Sequence, residues 1–391
     1  MELHLGRKVK VFFRENRINR INIRMNIKCE RCGCDSLKYF VNLNGVMQCR
    51  RCIQYQGFEG SVLYYDELIE TEMSYQLTDR QKECSSLILK YSQTTDLLVN
   101  AICGSGKTEL VLETIQHAIE NRMKIGIAVA RRQVVLQLYE RLKRIFPSIK
   151  VIAVCEGHTD DCEGHLIIST THQLFRFHKM FDLLILDEPD AFPFCSDETL
   201  QGFAQQSVKG HTIYLTATPS ADLIKRVKRN ECAEVRLFRR PHGHDLVIPV
   251  CKYIPLYGQF VYLKHWLKKF AESCLIFVPS IKLGNQLSTY LDIPFVYAGF
   301  SQLDETIQQF KDNFGSRLIC TTVLERGVTF ENVQVAVLYA NHMVFNLASL
   351  IQISGRVGRS MRYPDGKVLF LCTERKAHVT QCVEIQMLAN A

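Results

Sequence analysis

From about residue 60 the chain alternates between two hydrophobic rhythms. Short, nearly continuous apolar runs recur at Leu97–Val99, Ile125–Val129, Val151–Val154, Leu166–Ile168, Leu183–Leu186 and Thr212–Leu215. Between the first of them lie stretches whose apolar residues fall on one helical face. One holds Leu110, Val111, Thr114, Ile115, Ala118 and Ile119; the next holds Val134, Val135, Leu138, Leu142 and Ile145. Unbroken apolar strands separated by amphipathic helices indicate a parallel sheet covered on both faces. Residues 225–245 (KRVKRNECAEVRLFRRPHGHD) are basic, polar and turn-rich, with little periodicity. A second series of runs follows at Leu275–Val278, Phe295–Tyr297, Leu318–Thr321, Val333–Tyr339 and Val368–Cys372. Helical patterns accompany it around Leu283–Leu291, Leu347–Ile353 and the C-terminus. The pattern predicts an α/β protein with two parallel-sheet domains in tandem behind a small N-terminal module. The expected division is a basic arm at 1–28, a cysteine module at 29–60, and α/β domains at 61–245 and 246–391.

Composition narrows the class. With 47% hydrophobic and 23% charged residues in 391, disorder is excluded as the main state. There is no apolar run of membrane-spanning length, and the N-terminus MELHLGRKVKVFFREN lacks the features of a secretory signal, so an intracellular protein is expected. Of sixteen cysteines, Cys84, Cys232, Cys251, Cys274, Cys320 and Cys372 stand alone in apolar stretches, as small buried hydrophobes do in a reducing compartment. The net charge is +8, of which +6 lies in residues 1–28 (Arg7, Lys8, Lys10, Arg14, Arg17, Arg20, Arg24 and Lys28 against Glu2 and Glu15). Such an arm suits nucleic acid or an acidic membrane surface; the alternative is a solvated tail.

The strongest motif is Ala101-Ile102-Cys103-Gly104-Ser105-Gly106-Lys107-Thr108, set between an apolar strand and an amphipathic helix. Gly104, Ser105 and Gly106 bring backbone N–H groups to phosphate oxygens, Lys107 reaches the β- and γ-phosphates of ATP, and Thr108 ligates Mg2+. Asp187-Glu188-Pro189-Asp190 follows a buried strand. There Asp187 is suited to hold Mg2+ through water, and Glu188 to orient and deprotonate the attacking water. Upstream, Thr78 is a helix N-cap, and Gln81 has an amide able to pair with the adenine edge. Thr216-Ala217-Thr218 follows another strand and is assigned to coupling. Gln352-Ile353-Ser354-Gly355-Arg356-Val357-Gly358-Arg359 lies deep in the second series. Arg356 and Arg359, with Gln352, are placed to stabilise charge at the γ-phosphate, giving a nucleotide-driven motor.

Cys29-x2-Cys32 and Cys49-x2-Cys52, sixteen residues apart, have the spacing of a zinc ribbon: each hairpin offers two thiolates, and two hairpins close a tetrahedron around Zn2+. Gly33 and Gly45 suit the turns, and Cys34 is a spare that competes with Cys32. A second pattern, Cys155, His158, Cys162 and His165, joins two predicted strands and leaves metal binding open.

AxxGSGKT, DEPD, TAT and QxxGRxGR, in that order, resemble a helicase of the second superfamily, with two RecA-like domains. The resemblance covers roughly residues 75–375. It places Arg131, Arg132, Gln137, Thr170, Thr171 and His172 of the first domain, and Ser280, Thr321, Thr322 and Arg326 of the second, on a phosphodiester backbone. With the four-cysteine module ahead of the motor and the segment DEPDAFPF, the chain is similar to the ComFA family of late competence proteins. That likeness implies a DNA-dependent ATPase that moves along single-stranded DNA. It implies a cytoplasmic protein, peripheral at the inner face of the membrane, that drives DNA uptake. The implied partners are other competence proteins, including a phosphoribosyltransferase-like protein, and the membrane DNA channel; self-association stays open. The alternatives are a primosomal-type or RNA helicase, and an ATP-controlled nucleic-acid clamp without directional movement.

Overall fold

The computed structural model describes residues 10–12, 26–43, 46–57, 59–63 and 77–390. Most of the basic arm, together with Gly45, Tyr75 and Gln76, lies outside the described residues. The chain divides into two compact units. One comprises residues 1–99 and 110–235; the other comprises 100–109, the phosphate-loop segment, and 236–391.

The first unit is built on a seven-stranded sheet. Its strands are β1 (Leu97–Ala101), β2 (Ile125–Val129), β3 (Val151–Val154), β4 (Leu166–Thr170), β5 (Phe181–Asp187), β6 (Val208–Thr216) and β7 (Ala233–Leu237). They lie in the order β7-β1-β6-β5-β2-β4-β3, and the pairs β4 with β2 and β3, and β5 with β2 and β6, are parallel. Strands β2 and β4 are buried along their whole length, which is why Ile125–Val129 and Leu166–Ile168 read as apolar runs; β4 ends in the buried hydroxyl residues Ser169 and Thr170. The basic stretch 225–245 is not all linker: it contains β7, an edge strand. There Val235 and Leu237 are buried while Arg236 is exposed, so the alternation of a half-buried strand is hidden among charges.

The second unit carries a six-stranded, all-parallel sheet: β8 (Val250–Tyr253), β9 (Ser273–Phe277), β10 (Phe295–Val296), β11 (Arg317–Cys320), β12 (Val333–Val337) and β13 (Val368–Cys372), in the order β8-β13-β12-β9-β11-β10. Strand β8 and the helices Leu256–Leu267 and Leu303–Asp312 are additions to the sequence reading. In the first unit the helix Glu198–Ser207 is another, capped by Asp197 through the Thr199 and Leu200 N–H groups. Among the described residues no helix is long and apolar enough to cross a membrane.

The cysteine module is seated on the first unit and shares its core. Ile27, Phe40 and the cysteines pack into one buried cluster with Phe177, Phe181 and Phe203. Tyr55 meets Phe203 edge-on at 4.8 Å between ring centroids, and Arg51 pairs with Glu198 at 2.8 Å. Ser61 and Val62 add a short parallel pairing to Glu163 and Gly164. A main-chain approach of this seating is at Gly202 in the helix Glu198–Ser207, where a Cβ would lie 2.0 Å from the Cys32 carbonyl oxygen. Gly202→Ala gains about 1 kcal/mol of helix propensity, but it forces two main chains apart, an overpacking cost of about 1–3 kcal/mol or more. The variant is expected to melt several degrees lower and to be cut more readily by protease near residues 53–63. A wild-type melting curve would contradict this seating.

Candidate nucleotide and nucleic-acid sites

In the first unit, backbone register gathers the predicted residues at one edge of the sheet. Val129 at the end of β2 pairs with Thr170 of β4 on one side and Asp187 of β5 on the other. The carboxyl ends of three neighbouring strands therefore deliver Arg131 and Arg132, Thr170 to His172, and Asp187 to Glu188. Ligand sites in parallel α/β sheets form along such an edge. Arg131 stands at the N-cap position of the helix Arg132–Ile145 without a side-chain cap bond, and Gln137 is exposed on that helix. The Arg132 Nε donates to the Glu156 carbonyl at 2.8 Å. Thr170 and Thr171 are buried at the start of the 3-10 turn Thr171–Arg176. His172 is half-buried, and its loss of water lowers its pKa from the ordinary histidine value, although Asp197 opposes the shift.

The acidic turn is held in a strained shape. Glu188 sits at φ +54°, a left-handed conformation unusual for a non-glycine residue. Its N–H donates to the Leu215 carbonyl at 2.8 Å, and its carbonyl accepts from Ala191 N–H at 2.9 Å. Thr216 and Thr218 both reach Asp190: their hydroxyls donate to Oδ1 at 2.6 Å and Oδ2 at 2.7 Å. The Thr218 N–H also donates to Thr216 Oγ1 at 2.9 Å. One carboxylate thus ties the DEPD turn to the TAT turn. The role of Asp190 is not evident from sequence; its signal is the acid two residues after Glu188.

Thr78 caps the helix Asp79–Ser92 as expected, and Gln81 closes a reciprocal capping box. The Gln81 Oε1 accepts from the Thr78 N–H at 3.0 Å, and the residue is buried. That half of its amide is engaged by the protein itself.

In the second unit the phosphate loop turns through Gly104 (φ +80°) and Gly106 (φ +82°) into a helical turn beginning at Lys107. The loop lies against the QxxGRxGR segment. The Cys103 thiol donates to Gln352 Oε1 at 3.1 Å, and a Cβ on Gly104 would lie 3.5 Å from Arg359 Cγ. Arg359 is half-buried, and its Nε donates to the Gly355 carbonyl at 2.8 Å. Arg356 is placed differently. It is 2% exposed, donates to the Val328 carbonyl, and stacks on the Phe330 ring at 5.5 Å. The structure therefore brings Gln352 and Arg359 to the loop, while Arg356 braces 328–330. Arg240, from the basic stretch 225–245, also reaches the loop, with its Nε 3.1 Å from the Cys103 carbonyl oxygen.

The second unit's predicted strand contacts share an edge in the same way. Phe277 pairs with Cys320 and Val337, and Val296 with Cys320, so Ser280 and Thr321 to Thr322 follow adjacent strand ends. The exposed Ser280 caps the helix Ile281–Leu291 through the Leu283 N–H at 3.3 Å. Arg326 is buried beside Glu325, with Nε 3.5 Å from Oε1.

Cys29, Cys32, Cys49 and Cys52 converge, their sulfurs all within 4.8 Å of one another. Cys29 and Cys52 are 3.6 Å apart, and Cys32 and Cys49 3.7 Å. A tetrahedral site with metal–sulfur bonds of about 2.3 Å places its sulfurs about 3.8 Å apart, so the donor set is consistent with zinc. Hydrogen bonds from Cys32 and Cys52 pull the Cys29 thiol down to about 2, while Cys32 is pushed up to about 12 by its bond to Cys29. Cys34 is buried outside the group. Among the described residues no second metal cluster forms. The His165 Nδ1 instead accepts from the Lys150 N–H at 2.9 Å, and the Cys162 thiol donates to the Thr159 carbonyl at 3.4 Å.

Comparison with known proteins agrees with this geometry. The family model described as Type III restriction enzyme, res subunit, matches residues 74–221, and the helicase conserved C-terminal domain matches 258–361. In fold the chain is similar to S. cerevisiae Dbp5 bound to RNA and ADP BeF3 (TM-score 0.62, 15% identity, 81% of this chain and 88% of that one). It is also similar to RecG bound to a three-way DNA junction (TM-score 0.56, 18% identity, 84% and 48%). The competence protein ComFA of Streptococcus pneumoniae is 36% identical over 389 residues, covering 92% of this chain and 90% of that protein. The competence protein ComFA of Bacillus subtilis is 32% identical over 384 residues, covering 88% and 81%. The chain is an ATP-hydrolysing helicase or translocase with two RecA-like domains, and it belongs to the ComFA family of competence proteins.

Proposed function

We propose that the chain moves along single-stranded DNA at the expense of ATP, drawing the strand inward at the cytoplasmic face of the membrane during competence. The observation that supports this best is the shared register of Val129 with Thr170 and Asp187, which sets the acidic turn and two strand-binding segments on one sheet edge. Lys107 and the Gly104–Gly106 backbone hold the phosphates, and Glu188 orients and deprotonates the attacking water. Arg359 meets the developing charge, aided by Gln352, with Arg356 recruited from its place beside Phe330. Thr108 and Asp187 are oxygen donors of the kind Mg2+ takes; the ion would supply charge neutralisation at the phosphates. Asp190 with Thr216 and Thr218 carries the state of the acidic turn to the segment that follows β6. The working bodies are 61–245 and 246–391. Membership of the family points to competence proteins as partners: a phosphoribosyltransferase-like protein and the membrane DNA channel.

Contacts from Arg131, Arg132, Gln137, Thr170, Thr171, His172, Ser280, Thr321, Thr322 and Arg326 would fall on backbone, so sequence-independent binding is expected. ATP turnover should rise about tenfold or more with single-stranded DNA, with a smaller response to duplex DNA or RNA at equal salt. Lys107→Ala should reduce turnover about 100-fold or more. Stronger stimulation by RNA than by single-stranded DNA would select the RNA-helicase alternative. ATP-controlled binding without displacement of a bound obstacle would select the clamp.

Zn2+ is the proposed occupant of the four cysteines, where its role is to close a module too small for a core of its own. Metal analysis should find about one zinc per chain. Cys49→Ser should lose it and lower the melting temperature, whereas Cys34→Ser should retain it.

A further inference from the structure

Arg240 lies outside every motif read from the sequence. Strand β7 ends at Leu237, whose carbonyl accepts from the Ile102 N–H at 3.1 Å, so the chain beyond it runs beside the phosphate loop. Arg240 then turns inward and is 3% exposed. Its guanidinium donates to four main-chain carbonyls. Nε reaches Cys103 at 3.1 Å, Nη2 reaches Gly355 at 2.9 Å, and Nη1 is shared between Val357 at 2.7 Å and Gly358. No carboxylate is among these partners.

A buried cation without a counter-ion is costly unless its donors are met. Here they are met by the Cys103 carbonyl and by three carbonyls at and just past the C-cap of the helix Leu347–Ser354, the negative end of its peptide dipoles. Burial, reinforced by the neighbouring positive charge of Arg359, holds the guanidinium down at about 10. The two segments it joins are in direct contact: a Cβ on Gly355 would lie 2.6 Å from Cys103 Cβ. Only a planar fork of fixed donors can serve both segments at once; a lysine ammonium is a point donor and serves fewer.

We propose that Arg240 is a positioning residue for ATP hydrolysis: its fork fixes the phosphate loop at Cys103 against the Gly355–Gly358 turn, and so sets the distance between a triphosphate on the loop and the guanidinium of Arg359. The inference rests on the reading of 101–108 as the ATP site. It separates two functions of the loop. Holding nucleotide belongs to Lys107 and the loop backbone, and aligning it for reaction depends on Arg240.

The test compares Arg240→Met, Arg240→Lys and Lys107→Ala in the full chain, measuring kcat, the Kd of a fluorescent ADP analogue, and thermal melting. In Arg240→Met, kcat should fall about tenfold or more while the Kd stays within about threefold, the signature of lost alignment. Arg240→Lys should fall between this variant and the wild type. A folded Arg240→Met with wild-type kcat overturns the proposal, as does a Kd that weakens in step with kcat. If Arg240→Met fails to melt as a folded protein, Arg240→Lys decides: lowered kcat with preserved Kd supports the proposal, and unchanged kcat overturns it. Turnover that survives Lys107→Ala overturns the ATP-site reading and this inference with it. An inactive Lys107→Ala beside an unaffected Arg240→Met removes this inference alone.

Discussion

The hydrogen-bond register of the parallel strands is the constraint on which the rest of the molecule depends. Val129 is fixed opposite both Thr170 and Asp187, and Asp187 opposite Leu215. A slip of one residue would turn each strand's buried side chains to the other face, and with strands buried on both faces there is no place to put them. Register is therefore held by the cost of misplacing core residues. The polar residues that follow each strand inherit their alignment from it. The second sheet repeats the device at Phe277, Cys320 and Val337.

Charged groups are then sorted by what neutralises them. Asp190 receives two threonine hydroxyls and becomes a joint between two turns. Arg356 is sunk against a backbone carbonyl and an aromatic face, whereas Arg359 lies half-buried against the phosphate loop. With Arg240, held by four main-chain carbonyls, three arginines close in sequence or space have three environments. Glu188 is marked by its backbone instead: its left-handed conformation is held by main-chain bonds to Leu215 and Ala191.

The cysteine module belongs to the first unit's core. Its buried residues pack in one cluster with Phe203 and Phe177, against the helix Glu198–Ser207. The same contacts connect it to the turn Thr171–Arg176: the Arg176 carbonyl accepts from the Gly60 N–H at 3.1 Å. The module is therefore a buttress behind one of the segments assigned to nucleic acid.

Much of this protein was determined by sequence alone. Apolar runs such as Ile125–Val129 and Leu166–Ile168 announce buried parallel strands, because a strand covered on both faces is made mostly of apolar residues. The phosphate loop, DEPD, the arginine motif and the cysteine pairs are equally legible, since each is local chemistry at fixed spacing. Tertiary structure alone decided the rest. Strand β7 was hidden because an edge strand buries only alternate residues, and charge fills the others. The meeting of Thr216 and Thr218 with Asp190, the seating of Gly202 on Cys32, and the reach of Arg240 to Cys103 join segments distant along the chain. Such contacts are set by how closed sheets and helices stack, and no local pattern of residue types encodes them.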